Sequence, residues 1–340
     1  MRTLLTLIVP LLDRHSLTHR VLSNLDKQKC EFKIIVADGS EEPFPEELLD
    51  SYLNLRIEYF YSGYDVDIEQ YIHKMSTAIN KVYTPFCMLF DNDDLIDLKG
   101  IRNGVAFLSQ NKEYSCYQND VRVLECNPKF SLGDSLYTHD SIEQNNAMER
   151  IKKSIYNFNS FNYAVLRTPV IRCLLDSMSS FNIGDFQFFQ KGLACFAALF
   201  GKCKRLHNES YYYFIPGNSI IQNSGRVHKF SNWCDTMYWP QSAVYLASFI
   251  SRLHEEMYML TVRDEFIRFF VKEVHKKNNL PAPTEKEMTD MSEHSRAFDE
   301  CIEEHLGRTC QELRNSIWYS RALSPPSKAC HKEFVKSLNT

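Results

Sequence analysis

Four apolar runs of strand length recur in the first ninety residues: LLTLIVPL, FKIIVADGS, RIEYFYS and PFCMLFD. Between them lie segments with apolar residues at helical spacing, SLTHRVLSNLDKQ and IEQYIHKMSTAINKV. Continuous rather than alternating apolar runs mean strands covered on both faces, and their alternation with helices means a mostly parallel α/β sheet. In such a sheet, ligands bind beyond the carboxyl ends of the strands. Asp38 and Asp91 stand at two such ends.

The fourth run leads straight into DNDDLID, so Asp91, Asp93 and Asp94 arrive together at one strand end. Clustered carboxylates repel and cost desolvation energy unless something positive sits among them. Asp91-x-Asp93 suits a divalent cation that also touches a diphosphate, since Mg²⁺ and Mn²⁺ take oxygen ligands and keep positions for phosphate oxygens. The plainer reading is a helix N-terminus decorated with acids, but a solvated charge run has no need of the apolar strand in front of it.

After Asp97 the pattern continues with a helix (LKGIRNGVAFLSQN) and a strand (YSCYQNDVRVLE). The polar span from Cys126 to Asn146 reads as an irregular loop. A helix follows (NAMERIKKSIYNF), then a strand passing into a helix with Pro169 near its start (NYAVLRTPVIRCLLDSM). One long helix is expected from Gly184-Asp185 through GKCKRL, and Ser16 is the expected N-cap of the first helix. From about Trp239 the pattern is helical, with a hinge at NNLPAPTEKE. The expected division is an α/β domain over 1–235, in two halves (1–97 and 98–235), and a helical region over 236–340.

Composition excludes several classes. Of 340 residues, 44% are apolar and 24% charged, with a formal net charge of −4. No basic block calls for nucleic acid. The 11 cysteines form no C-x-x-C pair, which argues against a zinc ribbon and fits reduced thiols buried as small hydrophobes. The apolar start is short, is interrupted by Thr3, Thr6 and Pro10, and lacks a small-residue cleavage site, so a signal peptide is not expected. No stretch reaches the roughly 18 apolar residues of a membrane span. The expectation is a cytosolic protein. Its C-terminal helices, with Phe266, Phe269 and Phe270 beside Arg263, Arg268 and Lys272, can pack on the core, pair two copies or rest on a membrane surface.

LTLIVPLLDR, FKIIVADGS and KMSTAINKVYTPFCMLFDNDD, in this order and spacing, resemble the N-terminal half of family 2 glycosyltransferases of the GT-A fold, in particular those of bacterial surface-polysaccharide assembly. The resemblance covers residues 4–110 and continues more loosely to about 235. It implies a nucleotide-diphosphate sugar donor, most commonly UDP-linked, Mn²⁺ or Mg²⁺ as cofactor, and a glycan or lipid-linked acceptor. Carried over, it places Pro10 and Arg14 beside the nucleoside, Asp38 on the base and Lys74 near base or phosphate. It places Asp91 and Asn92 at the nucleotide sugar, and Asp91 and Asp93 at the metal. An inverting transfer needs a base, which the resemblance puts at Asp185; a plain N-cap is the other reading, and Asp176 and Asp134 are fallbacks. Arg226, His228 and Lys229 fall on a loop able to close over the diphosphate, with His228 as an extra metal ligand or a structural histidine. Two departures stand out: Ala37 replaces the first acid of the family's Asp-Asp-Gly-Ser, and HKMSTAIN replaces its Ala-Arg-Asn.

Rival readings fit less well. A haloacid-dehalogenase-like phosphohydrolase also puts D-x-D after an apolar strand, but near its N-terminus, whereas three strands precede this one. A nucleotidyltransferase expects a glycine-rich loop where VPLLDRHS has none. A non-catalytic transferase-fold module gains nothing from uncompensated buried acids.

Overall fold

The computed structural model describes residues 4–126, 130–137, 139–156, 161–178 and 186–216, with a few more between 281 and 289. The first half runs β1 (Leu5–Leu11), α1 (His15–Lys27), β2 (Lys33–Asp38), β3 (Arg56–Tyr61), α2 (Ile68–Asn80) and β4 (Phe86–Leu89). It continues with β5 (Leu95–Ile96), α3 (Leu98–Gln110), β6 (Tyr114–Cys126), β7 (Phe130–Ser135) and α4 (Ala147–Tyr156). Then come β8 (Val165–Arg167), α5 (Thr168–Met178), α6 (Phe186–Phe200) and β9 (Lys202–Pro216).

One sheet joins all nine strands in the order β3-β2-β1-β4-β8-β6-β9-β5, with β7 paired to β6. The first four are mutually parallel, as the buried runs require. Beyond β4 the pairing is mixed: β8 is antiparallel to both β4 and β6, while β6 and β9 run parallel. The order 3-2-1-4 reverses direction at β1, so the ligand crevice expected of such a sheet falls at the carboxyl ends of β1 and β4, whose following loops are hydrogen-bonded to each other. That crevice is where the acids lie.

Side-chain alternation explains the continuous apolar runs. Leu5, Leu7, Val9, Ile34, Val36, Phe86 and Met88 face one core layer with α1 and α3. Ile8, Ile35, Ala37, Cys87 and Leu89 face the other, with α2, α5 and α6. Both faces of β1, β2 and β4 are therefore buried, with Thr6 a mid-strand polar exception whose hydroxyl pairs with Thr84 Oγ1 at 2.8 Å, while β3, at the sheet edge, is only partly buried. Cys30, Cys87, Cys116, Cys173, Cys195 and Cys203 are all buried.

Three local expectations are corrected. Ser16 does not cap α1: it lies inside the helix, and Arg14 occupies the cap position in a left-handed conformation without a side-chain cap bond. The span after Cys126 is not a wholly irregular loop. It contains β7, which among the described residues pairs with β6 alone, and its exposed Ser131 and Leu132 explain why no buried alternation announced it. The expected long helix stops at Phe200, and Lys202–Pro216 is a strand. Gly201 allows the change of direction, since a Cβ there would sit 2.8 Å from both Glu113 O and Ser115 N.

The sheet runs without a break across the expected 97/98 division, because β4 pairs with β8 and β5 with β9. The 235/236 boundary lies outside the described residues, as do Asp185, Arg226, His228 and Lys229. Among the described residues, no helix is long and apolar enough to cross a membrane.

Candidate active site

The loop after β1 is built under strain. Asp13 and Arg14 are consecutive left-handed residues, with φ of 54° and 57°, where non-glycine residues rarely sit. Such conformations cost about 1–3 kcal/mol each and persist only where neighbours enforce them. Here the backbone N–H of Asp13 donates to Ser40 Oγ at 2.7 Å, and that of Glu41 donates to Asp13 Oδ1 at 3.1 Å. The buried Asn92 side chain donates to Asp13 O at 3.3 Å and to Thr18 Oγ1 at 3.0 Å. Asn92 thus braces the turn from the β4 side.

The braced turn carries Arg14 across the crevice, where Nη1 donates to Asp93 Oδ2 at 2.5 Å. Arg20, from α1, donates to the Asp93 carbonyl at 2.5 Å, and its guanidinium lies 4.0 Å above the Phe214 ring. The positive partner that the acids demand is therefore present in part within the chain.

Ligand oxygens of Asp91, Asp93 and Asp94 all lie within 4.8 Å of one another. Their environments differ. Asp94 is fully buried; its Oδ2 accepts from the Tyr211 hydroxyl at 2.5 Å and its Oδ1 from the Phe214 N–H at 2.8 Å. Burial, then the charges of Asp91 and Asp93, push its carboxyl well up. Both its oxygens tie β9 to the acid loop, so Asp94 is a structural acid. Asp91 accepts from the Tyr163 hydroxyl at 2.8 Å. Burial and the neighbouring Asp93 push it up to about 6, against the pull of Tyr163 and Arg14. Asp93 is raised by burial, with Arg14 opposing. Asp91 and Asp93 are the pair chemically able to hold a divalent cation: adjacent oxygen donors, partly charge-compensated, at a crevice.

The residues expected on the nucleoside side lie in the following surroundings. Pro10 lies in β1, half-buried, in register with Ala37 of β2. Asp38 does end β2, but it is fully buried and turned inward. Its carboxylate accepts from the N–H groups of Ser40 (2.9 Å) and Phe44 (2.7 Å) and from the Tyr59 hydroxyl (2.8 Å), so in this arrangement it anchors its own loop rather than facing a base. Lys74 is also sealed, at 1% exposure. Its ammonium donates to Leu11 O at 2.9 Å and forms an ion pair with the buried Asp65. Burial lowers the Lys74 pKa and raises that of Asp65, and each opposes the shift of the other. A helix position expected near base or phosphate is thus a buried tie between α2, the end of β1 and the loop after β3.

Of the fallback bases, Asp134 is exposed on β7 and Asp176 lies in α5. Sequence reasoning missed Arg20, Asp65, Tyr163 and Tyr211. The run Tyr211–Tyr212–Tyr213 is the one signal for Tyr211, an aromatic cluster just beyond GKCKRL; Tyr163 has none.

No protein-family model matches the sequence, and no curated protein does. Solved structures do share its fold. Residues 1–349 of S. aureus TarS in complex with UDP-GlcNAc align at 13% identity with a TM-score of 0.56, over 98% of this chain and 89% of that one. Another structure of S. aureus TarS 1–349 aligns at 13% and 0.52, over 98% of this chain and 88% of that one. A further structure of S. aureus TarS aligns at 14% and 0.52, over 99% of this chain and 54% of that one. At this identity the likeness is one of fold: a GT-A type α/β sheet with helices on both faces.

Proposed function

We propose that this chain is a glycosyltransferase that takes a sugar from a nucleotide-diphosphate donor, UDP-linked by preference, and passes it to a glycan or lipid-linked acceptor. The observation that carries this reading is the Asp91/Asp93 pair at the crevice beside β1, faced by Arg14, in a fold shared with a protein solved with UDP-GlcNAc. A nucleotide-diphosphate sugar is anionic, and a crevice of bare carboxylates repels it. Arg14 and Arg20 offset part of that charge.

Asp91 and Asp93 fit Mn²⁺ or Mg²⁺ and would hold it. Bound there, the cation would supply positive charge to a departing diphosphate. The chain's own contributions are separable. Asn92 and Ser40 fix the turn that aims Arg14. Asp94 closes β9 over the acid loop and helps exclude water. Asp185, by resemblance, takes the proton from the acceptor hydroxyl in an inverting displacement. Arg226 and His228 belong to a loop proposed to approach the diphosphate.

The test is thermal unfolding of the purified chain with UDP, GDP, CDP, CMP or ADP, each with Mn²⁺ or with EDTA. A ligand at a hundred times its dissociation constant stabilises by about 2.7 kcal/mol. The reading expects one diphosphate to stabilise with metal alone, and the Asp93→Ala chain to lose the effect. No stabilisation by any nucleotide, with or without metal, sinks it.

A further inference from the structure

We infer that Tyr163 is a positioning residue for Asp91, selecting which of its carboxylate oxygens faces the crevice; the inference rests on the function proposed above. Tyr163 sits in the turn before β8, far in sequence from the acids, and has a left-handed backbone at φ 64°. Tyrosine has no intrinsic reason to adopt that conformation, so the surrounding structure enforces it. The enforcement is visible. Gln118, in β6, donates its side-chain amide to Asn162 O at 2.5 Å, and Ala164 N–H donates to Phe161 O at 3.3 Å, with Phe161 fully buried. The Tyr163 ring stacks on Tyr211 with centroids 4.1 Å apart and planes at 24°.

The stack sends two hydroxyls to two different acids. Tyr211 donates to Asp94, whose other oxygen is taken by the Phe214 N–H. Tyr163 donates to Asp91 Oδ2 alone, at 2.8 Å, leaving Oδ1 as the oxygen to present to a ligand. The choice of a phenol matters. An arginine or lysine in its place would orient Asp91 equally well but cancel its charge, while a neutral donor fixes the oxygen and keeps the charge available. The same stack therefore sorts chemically identical acids into one that is sealed and one that is aimed. It also ties the crevice to β6, through Gln118.

The experiment is a double-mutant cycle with Tyr163→Phe, Asp91→Ala and the combined chain, read two ways. Urea unfolding measures whether the two positions are coupled. Calorimetric titration of UDP with Mn²⁺ measures what the coupling does. Tyr163→Phe keeps the ring and its stack, so it is expected to fold. It should weaken UDP·Mn²⁺ binding about tenfold, the loss of one hydrogen bond to a charged group. In the Asp91→Ala background the same change should cost nothing further in stability. Equal stability losses in both backgrounds, or an unchanged dissociation constant, overturn the inference. If the unsubstituted chain binds no nucleotide, the functional reading falls by itself. The unfolding cycle then decides on Tyr163: coupling supports its hold on Asp91, and additivity refutes it.

Discussion

Arg14 and Asp93 lie 79 residues apart in the chain and meet at 2.5 Å, guanidinium to carboxylate, across the crevice between β1 and β4. Arg14 reaches there from a left-handed backbone at a helix start that has no side-chain cap. A strained turn, braced by Ser40 and Asn92 and delivering a cation to an acid, marks a place where geometry matters more than local stability.

Arg14 also stands where a divalent cation would feel it. Replacing it with methionine should act in two directions. Loss of the ion pair, with Asp93 at 9% side-chain exposure and Arg14 at 24%, should destabilise the chain by about 1–2 kcal/mol, between the exposed and buried limits. Removing a positive charge beside Asp93 should tighten Mn²⁺ binding in the absence of nucleotide. Urea unfolding and a paramagnetic Mn²⁺ titration of Arg14→Met measure both. Unchanged or weaker Mn²⁺ binding contradicts the shared use of Asp93.

Stability and ligand binding should respond to pH with opposite signs. Asp91 is held up at about 6 by burial and by Asp93, and Asp93 and Asp94 are also raised. The unfolded value of an aspartate is about 3.9. Between these values the folded chain keeps a proton that the unfolded chain has lost, so stability falls as pH rises through this window and grows as pH drops from 7 to 5. Cation and nucleotide binding requires the ionised form and should vanish over the same range. The melting temperature of the ligand-free chain should therefore climb towards pH 5 while the shift caused by UDP and Mn²⁺ disappears. In Asp91→Asn the climb should be smaller. Curves that move together refute the assignment.

What was legible in the sequence follows from how each feature is encoded. Strands β1, β2 and β4 announce themselves because burial on both faces leaves little room for polar residues, whereas β3, partly exposed at the sheet edge, shows through its aromatic and β-branched residues. Asp91 and Asp93 are visible because acids crowded at the end of an apolar strand demand a positive partner, whatever the rest of the chain does. The distinct fate of Asp94 is not local: its partners Tyr211 and Phe214 come from 117 and 120 residues away. The role of Lys74 is hidden in the same way, because a lysine on a helix reads as a ligand contact until Asp65 is seen to fill it. Strand β9 escaped because the apolar run of α6 flows into GKCKRL with only Gly201 as punctuation.

The Lys74–Asp65 pair gives a second test of what is structural. Lys74 is 1% and Asp65 5% exposed, so truncating one leaves the other buried without its counter-ion. Lys74→Met should cost about 3–5 kcal/mol in urea unfolding, and Lys74→Met with Asp65→Asn should recover most of that loss. The single change also removes a donor from Leu11 O, just before the strained turn. If single and double variants are equally destabilised, the charge pairing is not what holds α2 to β1.

The sharpest separation is between neighbours, Asp93 and Asp94. Asp94→Ala strips acceptors from the Tyr211 hydroxyl and the Phe214 N–H, both in a buried setting, and each orphaned donor costs about 1–3 kcal/mol. Relief of repulsion with Asp91 and Asp93 offsets part of this, so a net loss of about 2–4 kcal/mol is expected from the same bookkeeping. Asp93→Ala removes an acid whose guanidinium partner is a quarter exposed and can turn to water. Its stability should change by less than about 1 kcal/mol, while Mn²⁺-dependent UDP binding is lost. Urea unfolding and calorimetry on the two variants read both quantities. If Asp94→Ala keeps its stability, or Asp93→Ala keeps its ligand, the division of labour within DNDD is the reverse of the one its hydrogen bonds describe.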